Sequence, residues 1–162
     1  MQFIKLYEMQ AELDREIHLN HNTGYEQTFN RRLMAILVEL GEFANETRCF
    51  KYWSLKGPSA HEIVLEEYID GIHFILSLGI SIGSSKELEF TPIVSEDNLT
   101  DVFLKVYQLA SDFKMNHTVE DYKVLFETYL GLGMKLGFNE EMIIDAYIKK
   151  NSINHERQNN AY

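Results

Sequence analysis

The stretch IVLEEYIDGIHFILSLG, residues 63–79, decides the fold class that the sequence predicts. Wound at about 3.6 residues per turn, it carries apolar side chains on nearly every side, which is typical of a buried helix. Glu67 and Asp70 interrupt this pattern and, three positions apart, share one side of the helix. Carboxylates among apolar side chains are costly unless they are paired, protonated or bound to a metal. The stretch therefore predicts a buried helix with a chemical task for its acids.

A second acidic pattern lies in VELGEFANE, residues 38–46. Glu39, Glu42 and Glu46 fall within an arc of about 60° that flanks the apolar face of a helix. Like charges at this spacing cost roughly 0.2–0.5 kcal/mol per pair, and an E-x-x-E motif alone is most often a solvated face. Packing this helix against residues 63–79 would gather the carboxylates into an oxygen-rich pocket. Such a pocket suits two or more Mg²⁺ ions, with Mn²⁺ as a substitute.

Apolar periodicity along the rest of the chain predicts an all-α bundle of about six helices. The length of 162 residues fits one domain, residues 1–162, with a core of ordinary size. The predicted helices run from about Phe3 to His18, from Thr28 into the segment CFKYWS, from a Ser59–Glu62 capping box to about Ile82, from Asn98 or Thr100 to Phe113, from Thr118 to about Gly137, and from Asn139 onward.

Composition narrows the function classes. The net charge of −10 opposes generic binding to nucleic acid, whose affinity comes from basic patches, but it permits cation binding. The longest apolar run, residues 72–82, is too short to span a bilayer, and the N-terminus has no signal-peptide pattern. The single cysteine, Cys49, rules out an intramolecular disulfide and favours a cytoplasmic location.

A di-iron carboxylate bundle is the competing metal chemistry. Such sites require a Glu-x-x-His motif on each of two helices and a Glu on each of two others. Asp70 and His73 supply one related D-x-x-H pattern, and no other histidine in the sequence has an acid three positions before it. Half of a di-iron site is missing, which favours magnesium.

Five motifs in order give a family resemblance. ELGEFANE, KYWS and EEYIDGIHF follow one another, MQAELD lies near the N-terminus and AYIKKNSINHERQNNAY closes the chain. This set resembles the dimeric all-α dUTPase family, within the wider group of all-α nucleoside triphosphate pyrophosphohydrolases that includes MazG-type proteins. MQAELD is similar to that family's Q-x-x-L-[ND] segment, and the last stretch to its K-x-x-x-N-x-x-R-Q-x-x-x-Y motif. Each motif alone is weak, but the ordered set covers most of the chain.

The resemblance implies magnesium-dependent hydrolysis of dUTP, with dUDP as a further candidate substrate, to dUMP and pyrophosphate. That activity keeps uracil out of DNA, and the family implies a homodimer. The implied metal ligands are Glu39, Glu42, Glu67 and Asp70, with Glu46 nearby in the acidic set. Glu39 is the residue expected to orient or deprotonate the attacking water. The family suggests attack at the β-phosphorus, whereas the sequence leaves α and β open.

The nucleoside end of the site is implied by the same resemblance. Gln10 and Asp14 would lie near uracil, although the family often has Asn where Asp14 stands, and an ionised Asp can accept but not donate hydrogen bonds. Trp53, His73 and Phe74 are further candidates for the uracil and deoxyribose pocket. The plain alternatives are a satisfied core histidine for His73 and a core aromatic for Trp53.

The C-terminal stretch KKNSINHERQNNAY is by composition typical of a frayed tail. If the helix continues instead, Lys150, Asn154 and Arg157 share one face, a set of donors suited to phosphate oxygens. The resemblance implies a mobile phosphate-binding segment from about residue 147 that closes over the triphosphate.

Two other functions stay open on the sequence alone. One is a MazG-like pyrophosphohydrolase with a broader nucleotide range. The other is a non-catalytic helical interaction module whose acidic face binds a basic partner. No nucleic-acid or membrane partner is expected. Turnover of dUTP, dTTP and dCTP compared side by side would separate these readings.

Overall fold

A computed structural model describes residues 1–160 of the chain and shows six helices in that range. The prediction of an all-α bundle of about six helices is confirmed. The β-structure among these residues is a single antiparallel bridge between Gln2 and Glu89. The helices are α1 (Ile4–Asn20), α2 (Tyr25–Thr47), α3 (His61–Ser81), α4 (Leu99–Asn116), α5 (Val119–Lys135) and α6 (Glu140–Asn159).

Helix α3 lies at the centre of the bundle, as its apolar sequence predicts. Helices α1, α2, α5 and α6 all pack against it. Ile72, Ile75 and Leu76 are completely buried, whereas Ile63 in the first turn is 46% exposed. No helix within residues 1–160 combines the length and apolar character needed to cross a bilayer. The central position of α3 places Glu67 and Asp70 beside its neighbours.

Three helices begin at the predicted caps. The Asn98 side chain accepts the backbone N–H of Asp101 at 3.1 Å, and the Asn139 side chain accepts that of Met142 at 2.9 Å. Thr118 accepts from the Asp121 N–H at 3.0 Å and donates its hydroxyl to the Asp121 carboxylate at 2.8 Å. These side chains satisfy N–H groups that a helix leaves without partners in its first turn.

The predicted Ser59–Glu62 capping box at the start of α3 is wrong. The N-cap is Ala60, which has no side-chain hydrogen bond to the helix. The Ser59 hydroxyl instead donates to the carboxylate of Glu46, and the Ser59 N–H donates to the Glu46 carbonyl at 3.0 Å. A long-range carboxylate outcompetes the local cap here, and it ties the start of α3 to the end of α2.

Helix α2 is shifted from its predicted bounds at both ends. It begins at Tyr25, three residues before Thr28, and it stops at Thr47 because Arg48 is left-handed with φ of 58°. The prediction that the helix continues into CFKYWS is therefore wrong. The Arg48 guanidinium donates to the Lys56 carbonyl at 3.0 Å and the Ser54 hydroxyl at 2.7 Å, which folds the loop back on itself.

Helix α6 continues to Asn159, so the alternative of a frayed tail is wrong for the described part of the C-terminal segment. It packs against α1 and α3. His155 contacts the Glu16 carboxylate through Nδ1, and Asn20 donates to Gln158 at 3.5 Å. Tyr162, the last residue of the C-terminal motif, lies outside the described residues.

Candidate active site

Three carboxylates from two helices meet where α2 packs against α3. Glu39, Glu67 and Asp70 each present one oxygen, and the three oxygens lie within 4.8 Å of one another. All three residues are partly buried. Ile36, Leu40 and Phe43 fill the inward face of α2, which leaves Glu39 at the seam between the helices. The structure thus places these three acids at the interface between α2 and α3, where the sequence predicts them.

Burial and neighbouring negative charges raise the pKa of all three carboxyls. Burial, followed by the charges of Asp70, Glu42 and Glu67, raises the pKa of Glu39 to about 7. Burial is also the main cause that raises the pKa of Glu67 and of Asp70. Carboxylates this close hold their protons more tightly because ionising one makes ionising the next less favourable. Such a cluster is a centre for cation binding or proton transfer.

One cation from α6 partly balances this charge. The Lys150 ammonium donates to Asp70 Oδ2 at 2.8 Å and to Glu66 Oε1 at 2.9 Å. The hydrogen bond from Lys150 is the main cause that lowers the pKa of Glu66. The basic residues nearest in sequence have other contacts: Lys51 donates to the Asn45 side chain and Arg48 holds its own loop.

Glu42 and Glu46 stand outside the triplet. Glu42 is exposed, yet its charge still raises the pKa of both Glu39 and Glu67. The Glu46 carboxylate accepts from Ser59 and, at 3.3 Å, from Asn45. Glu42 and Glu46 are therefore both close enough for their charges to raise the pKa of Glu67, and Glu46 also holds the start of α3. Their place among metal ligands stays a prediction.

The raised pKa of Glu39 predicts a pH-dependent cost to the fold. A carboxyl with a pKa near 4.5 in the unfolded chain and about 7 in the folded one destabilises the fold once ionised, and the loss accumulates as the pH rises between those values. The melting temperature of Glu39→Gln in EDTA should exceed that of wild type by a margin that is small near about pH 5 and levels off above about pH 7. Circular dichroism melts at several pH values measure this margin, and a constant margin would contradict it.

Two members of the triplet, Glu39 and Asp70, line a cavity of about 390 Å³ between α1, α2, α3 and α6. Glu39 and Asp70 lie at one end, and Arg32 and Ser77 lie about two helical turns farther along. A cavity of this size accommodates a small organic ligand. Its other lining residues are Gln10, Leu13, Asp14, Ile17, His18, Thr28, Arg31, His73, Phe74, Asn154, Arg157 and Gln158.

A buried hydrogen-bond chain fixes the orientation of Gln10. Its Oε1 accepts from the Tyr147 hydroxyl at 2.6 Å and lies 2.8 Å from His73 Nδ1. Its Nε2 donates to Asp14 Oδ1 at 2.8 Å, and Asp14 Oδ2 accepts from the Ser77 hydroxyl at 2.7 Å. Because both lone pairs of Oε1 are used, Gln10 offers the cavity only its second N–H.

The same chain defines the state of His73. Since Gln10 Oε1 can only accept, His73 Nδ1 carries the proton and Nε2 is the bare acceptor. Burial, followed by the charge of Lys150, lowers the pKa of His73 to about 3, which keeps the ring neutral. Nε2 is buried without a hydrogen-bond partner among the described residues, and the ring stacks on Tyr147 at 4.1 Å. An acceptor of this kind at a cavity is suited to a ligand hydroxyl or N–H.

Arg32 is a site residue that the sequence analysis missed. It is 8% exposed, and its guanidinium donates to the Ser77 carbonyl at 2.8 Å and to the Tyr25 carbonyl at 2.7 Å. The sequence could have identified Arg32, because it lies on the apolar face of α2 one turn before Ile36. A guanidinium in such a stripe needs polar partners, and of these Ser77 lines the cavity together with Arg32.

Two candidates for the nucleoside pocket differ in position. Phe74 lines the cavity, whereas Trp53 does not. Trp53 lies in the loop after α2, is 64% exposed, and contacts the rings of Phe50 and Tyr52. Because α2 ends at Thr47, Trp53 lies in the loop that follows and not on the helix that the sequence predicted.

The three residues predicted to hold phosphate share one face of α6. Asn154 and Arg157 line the cavity, with Arg157 Nη1 3.5 Å from Asn154 Oδ1. Lys150 lies on the same face one turn earlier, at the carboxylate triplet. The helix thus carries Lys150 and Arg157 along the side that faces α1 and α3, whereas Lys149 is exposed.

The cavity joins a carboxylate cluster to a polar wall, and the sequence of the whole chain carries a matching signature. A family model described as dUTPase matches residues 2–162. The chain belongs to this dUTPase family. Comparison with curated proteins finds no match. The family match makes the chain a dUTP diphosphatase, which hydrolyses dUTP to dUMP and pyrophosphate. This agrees with the expected activity and fold, and it decides against a non-catalytic module.

Proposed function

We propose that this cavity is the dUTPase active site and that its hydrolysis of dUTP depends on Mg²⁺ and selects uracil. The carrying observation is that one cavity is lined both by Glu39 and Asp70, two members of the carboxylate triplet, and by the Gln10–Asp14 wall. The carboxylates would bind the metal that a triphosphate requires, and the polar wall would form hydrogen bonds to the base. The two lie about 10 Å apart along α3, measured as seven residues between Asp70 and Ser77.

The residues present fit Mg²⁺. Three carboxylate oxygens within 4.8 Å of one another are hard, negatively charged ligands, and the described cluster contains no sulfur or imidazole donor. Glu39, Glu67 and Asp70 would hold the metal, with Glu42 one turn along α2. When bound, Mg²⁺ would supply activation of the attacking water and neutralisation of phosphate charge. More than one ion, and Mn²⁺ as a substitute, belong to the same proposal.

Glu39 is the proposed general base. Its pKa of about 7 in the metal-free chain places proton exchange within the physiological range. The carboxylate faces the cavity from α2 and would orient or deprotonate the water that attacks the triphosphate. Attack at the β-phosphorus follows the family resemblance.

Helix α6 is the proposed phosphate-binding element. Lys150, Asn154 and Arg157 project from one face, and cationic donors form strong hydrogen bonds to phosphate oxygens. The segment from about residue 147 would tighten over the triphosphate and exclude water when the nucleotide binds. The chain from 1 to 162 would act as one domain with this segment as its movable part.

The nucleoside would occupy the polar wall. Phe74 offers a ring for stacking, and the bare His73 Nε2 offers an acceptor to the deoxyribose hydroxyl. The remaining N–H of Gln10 would donate to a uracil carbonyl, while Asp14 would accept the N3–H. Cytosine presents an amino group and an unprotonated N3 along this edge, which would oppose both contacts.

Base selectivity tests the proposal. With Mg²⁺ and equal nucleotide concentrations, kcat/KM should be at least about 30-fold lower for dCTP than for dUTP, because the two mismatched polar contacts cost about 1–3 kcal/mol each. Thymine has the same hydrogen-bonding edge as uracil, so a lower kcat/KM for dTTP would report a lack of space beside C5 of the base. A pyrophosphate-release assay gives all three values.

A matched variant sharpens that assay. Asp14→Asn supplies an amide that can donate to N3 of cytosine, so it should narrow the ratio of dUTP to dCTP turnover while the protein still folds. Equal wild-type turnover of the three nucleotides would sink uracil selectivity and favour a broader pyrophosphohydrolase. Unchanged turnover in EDTA would sink the dependence on Mg²⁺.

The proposed setting is a cytoplasmic homodimer without nucleic-acid partners. The lone cysteine, Cys49, supports a reducing compartment, and the net charge of −10 opposes nucleic-acid binding. The dimer is supported by the family resemblance and by Met34 and Val38 on α2, which are 60% and 44% exposed. The all-round apolar character of α3 does not support it, since packing within the chain already buries that helix.

A further inference from the structure

Lys150 is held by two carboxylates of α3 that have different surroundings. Its Nζ lies 2.8 Å from Asp70 Oδ2 and 2.9 Å from Glu66 Oε1. The Asp70 side chain is 20% exposed and belongs to the carboxylate triplet, whereas the Glu66 side chain is 58% exposed and lies outside the triplet. The two acids are four positions apart on one helix, so both can contact the same ammonium.

Lys150 and a cation at the triplet compete for the same partner. The Lys150 ammonium uses one oxygen of Asp70, a residue that the metal also requires. Two cations on one carboxylate repel each other, and the repulsion is strong where the site is partly shielded from water. Binding of Mg²⁺ therefore favours departure of Lys150 from Asp70. Glu66 is the contact that would remain.

We propose that Glu66 is a positioning residue, which keeps Lys150 beside the cavity when Mg²⁺ takes Asp70. The inference rests on the proposed metal site. An ammonium has three N–H donors, so a Lys150 released from Asp70 and still held by Glu66 has donors to direct at the triphosphate. Glu66 acts on the reaction only through Lys150, and Lys150 is its main partner in the structure.

Competition predicts opposite changes in Mg²⁺ affinity for the two single variants. Lys150→Met removes the competitor and should tighten Mg²⁺ binding. Glu66→Gln leaves Lys150 with Asp70 alone and should weaken Mg²⁺ binding. Each change in Kd should be at least about threefold, which corresponds to a modest coupling between contacting charges.

The double variant separates positioning from a general charge effect. If Glu66 acts through Lys150, adding Glu66→Gln to Lys150→Met should change Kd by less than about twofold. Glu62→Gln is the matched control, because it removes the same charge from an exposed position on the same helix, one turn earlier. Isothermal titration of each full-length protein with Mg²⁺ alone, without nucleotide, gives the four affinities and the control.

Kinetics supply a second readout. Glu66→Gln should raise KM for dUTP more than it lowers kcat, and Glu66→Asp should restore most of the loss, because the shorter carboxylate still pairs with an ammonium. An equal effect of Glu66→Gln on Mg²⁺ affinity with and without Lys150, or an equal effect of Glu62→Gln, would overturn the proposal and leave the metal site standing. Failure of wild type to bind Mg²⁺ would overturn the metal site and this proposal together.

Discussion

Replacing Glu39 with Gln should lower kcat for dUTP by about 10²–10⁴-fold, the range that a positioned general base contributes. The amide keeps the size of the side chain but cannot take a proton, and it is a poorer ligand for a hard cation. Because Glu39 is crowded by Glu67 and Asp70, losing its charge relieves repulsion. Activity should disappear from a protein that is as stable as wild type or more so. Steady-state kinetics and thermal melts on the same sample measure both effects.

Glu26→Gln is the matched control for this variant. Glu26 lies on the same helix, in its exposed first turn, and outside the cavity. Its replacement should leave kcat unchanged and alter stability by only a few tenths of a kcal/mol through the helix dipole. Retention of more than about a tenth of wild-type activity by Glu39→Gln would remove Glu39 from the role of base. Unfolding of that variant would point instead to a structural pairing.

Gly131→Ala should destabilise the fold by about 2–4 kcal/mol through a steric clash far from the chemistry. A Cβ at Gly131 in α5 would lie 1.8 Å from the Ile93 carbonyl oxygen and 2.3 Å from its carbon. The segment that contains Ile93 has little freedom to move, because two hydrogen bonds tie it to α5. The Ile93 N–H donates to the Glu127 carbonyl at 2.9 Å, and the Thr91 N–H donates to the Glu127 carboxylate at 2.8 Å. The gain of about 1 kcal/mol in helix propensity does not offset the clash.

Chemical denaturation followed by circular dichroism measures this loss. Gly57→Ala is the control, since a Cβ at Gly57 meets nothing within 4 Å. Neither Gly131 nor Ile93 lines the cavity, so the folded fraction of Gly131→Ala should keep the wild-type turnover number. A loss below about 1 kcal/mol would show that residues 91–94 can shift without cost. Together the two variants separate a residue needed for chemistry from one needed for packing.

Local physics explains why much of the fold was predictable. Asn98, Thr118 and Asn139 cap their helices with their own side chains, and a cap depends only on residues three positions away. The apolar surface of residues 63–79 likewise predicts a buried α3. The boundaries that were wrong depend on partners outside the reach of a single helical turn. Ser59 leaves its expected capping role for Glu46, and the end of α2 is held by contacts of Arg48 with its own loop.

The candidate site divides in the same way. Glu39, Glu67 and Asp70 could be named from spacing on two helices, because carboxylates flanking an apolar face must meet another element. The partner of Asp70 could not be predicted from spacing, because Lys150 lies 80 positions away. The packing of α6 on α3 brings Lys150 to these acids.

By itself the sequence determined which residues share a helix face, and therefore the carboxylates, the caps and the ordered motifs of a dUTPase. Helical periodicity is a property of neighbouring residues, so it can be read without knowing the fold. Only the tertiary structure decided that Lys150 grips Glu66 and Asp70, that Gln10 is fixed between His73 and Asp14, and that Trp53 lies outside the cavity. These contacts depend on how the helices pack, and packing is set by the whole core at once.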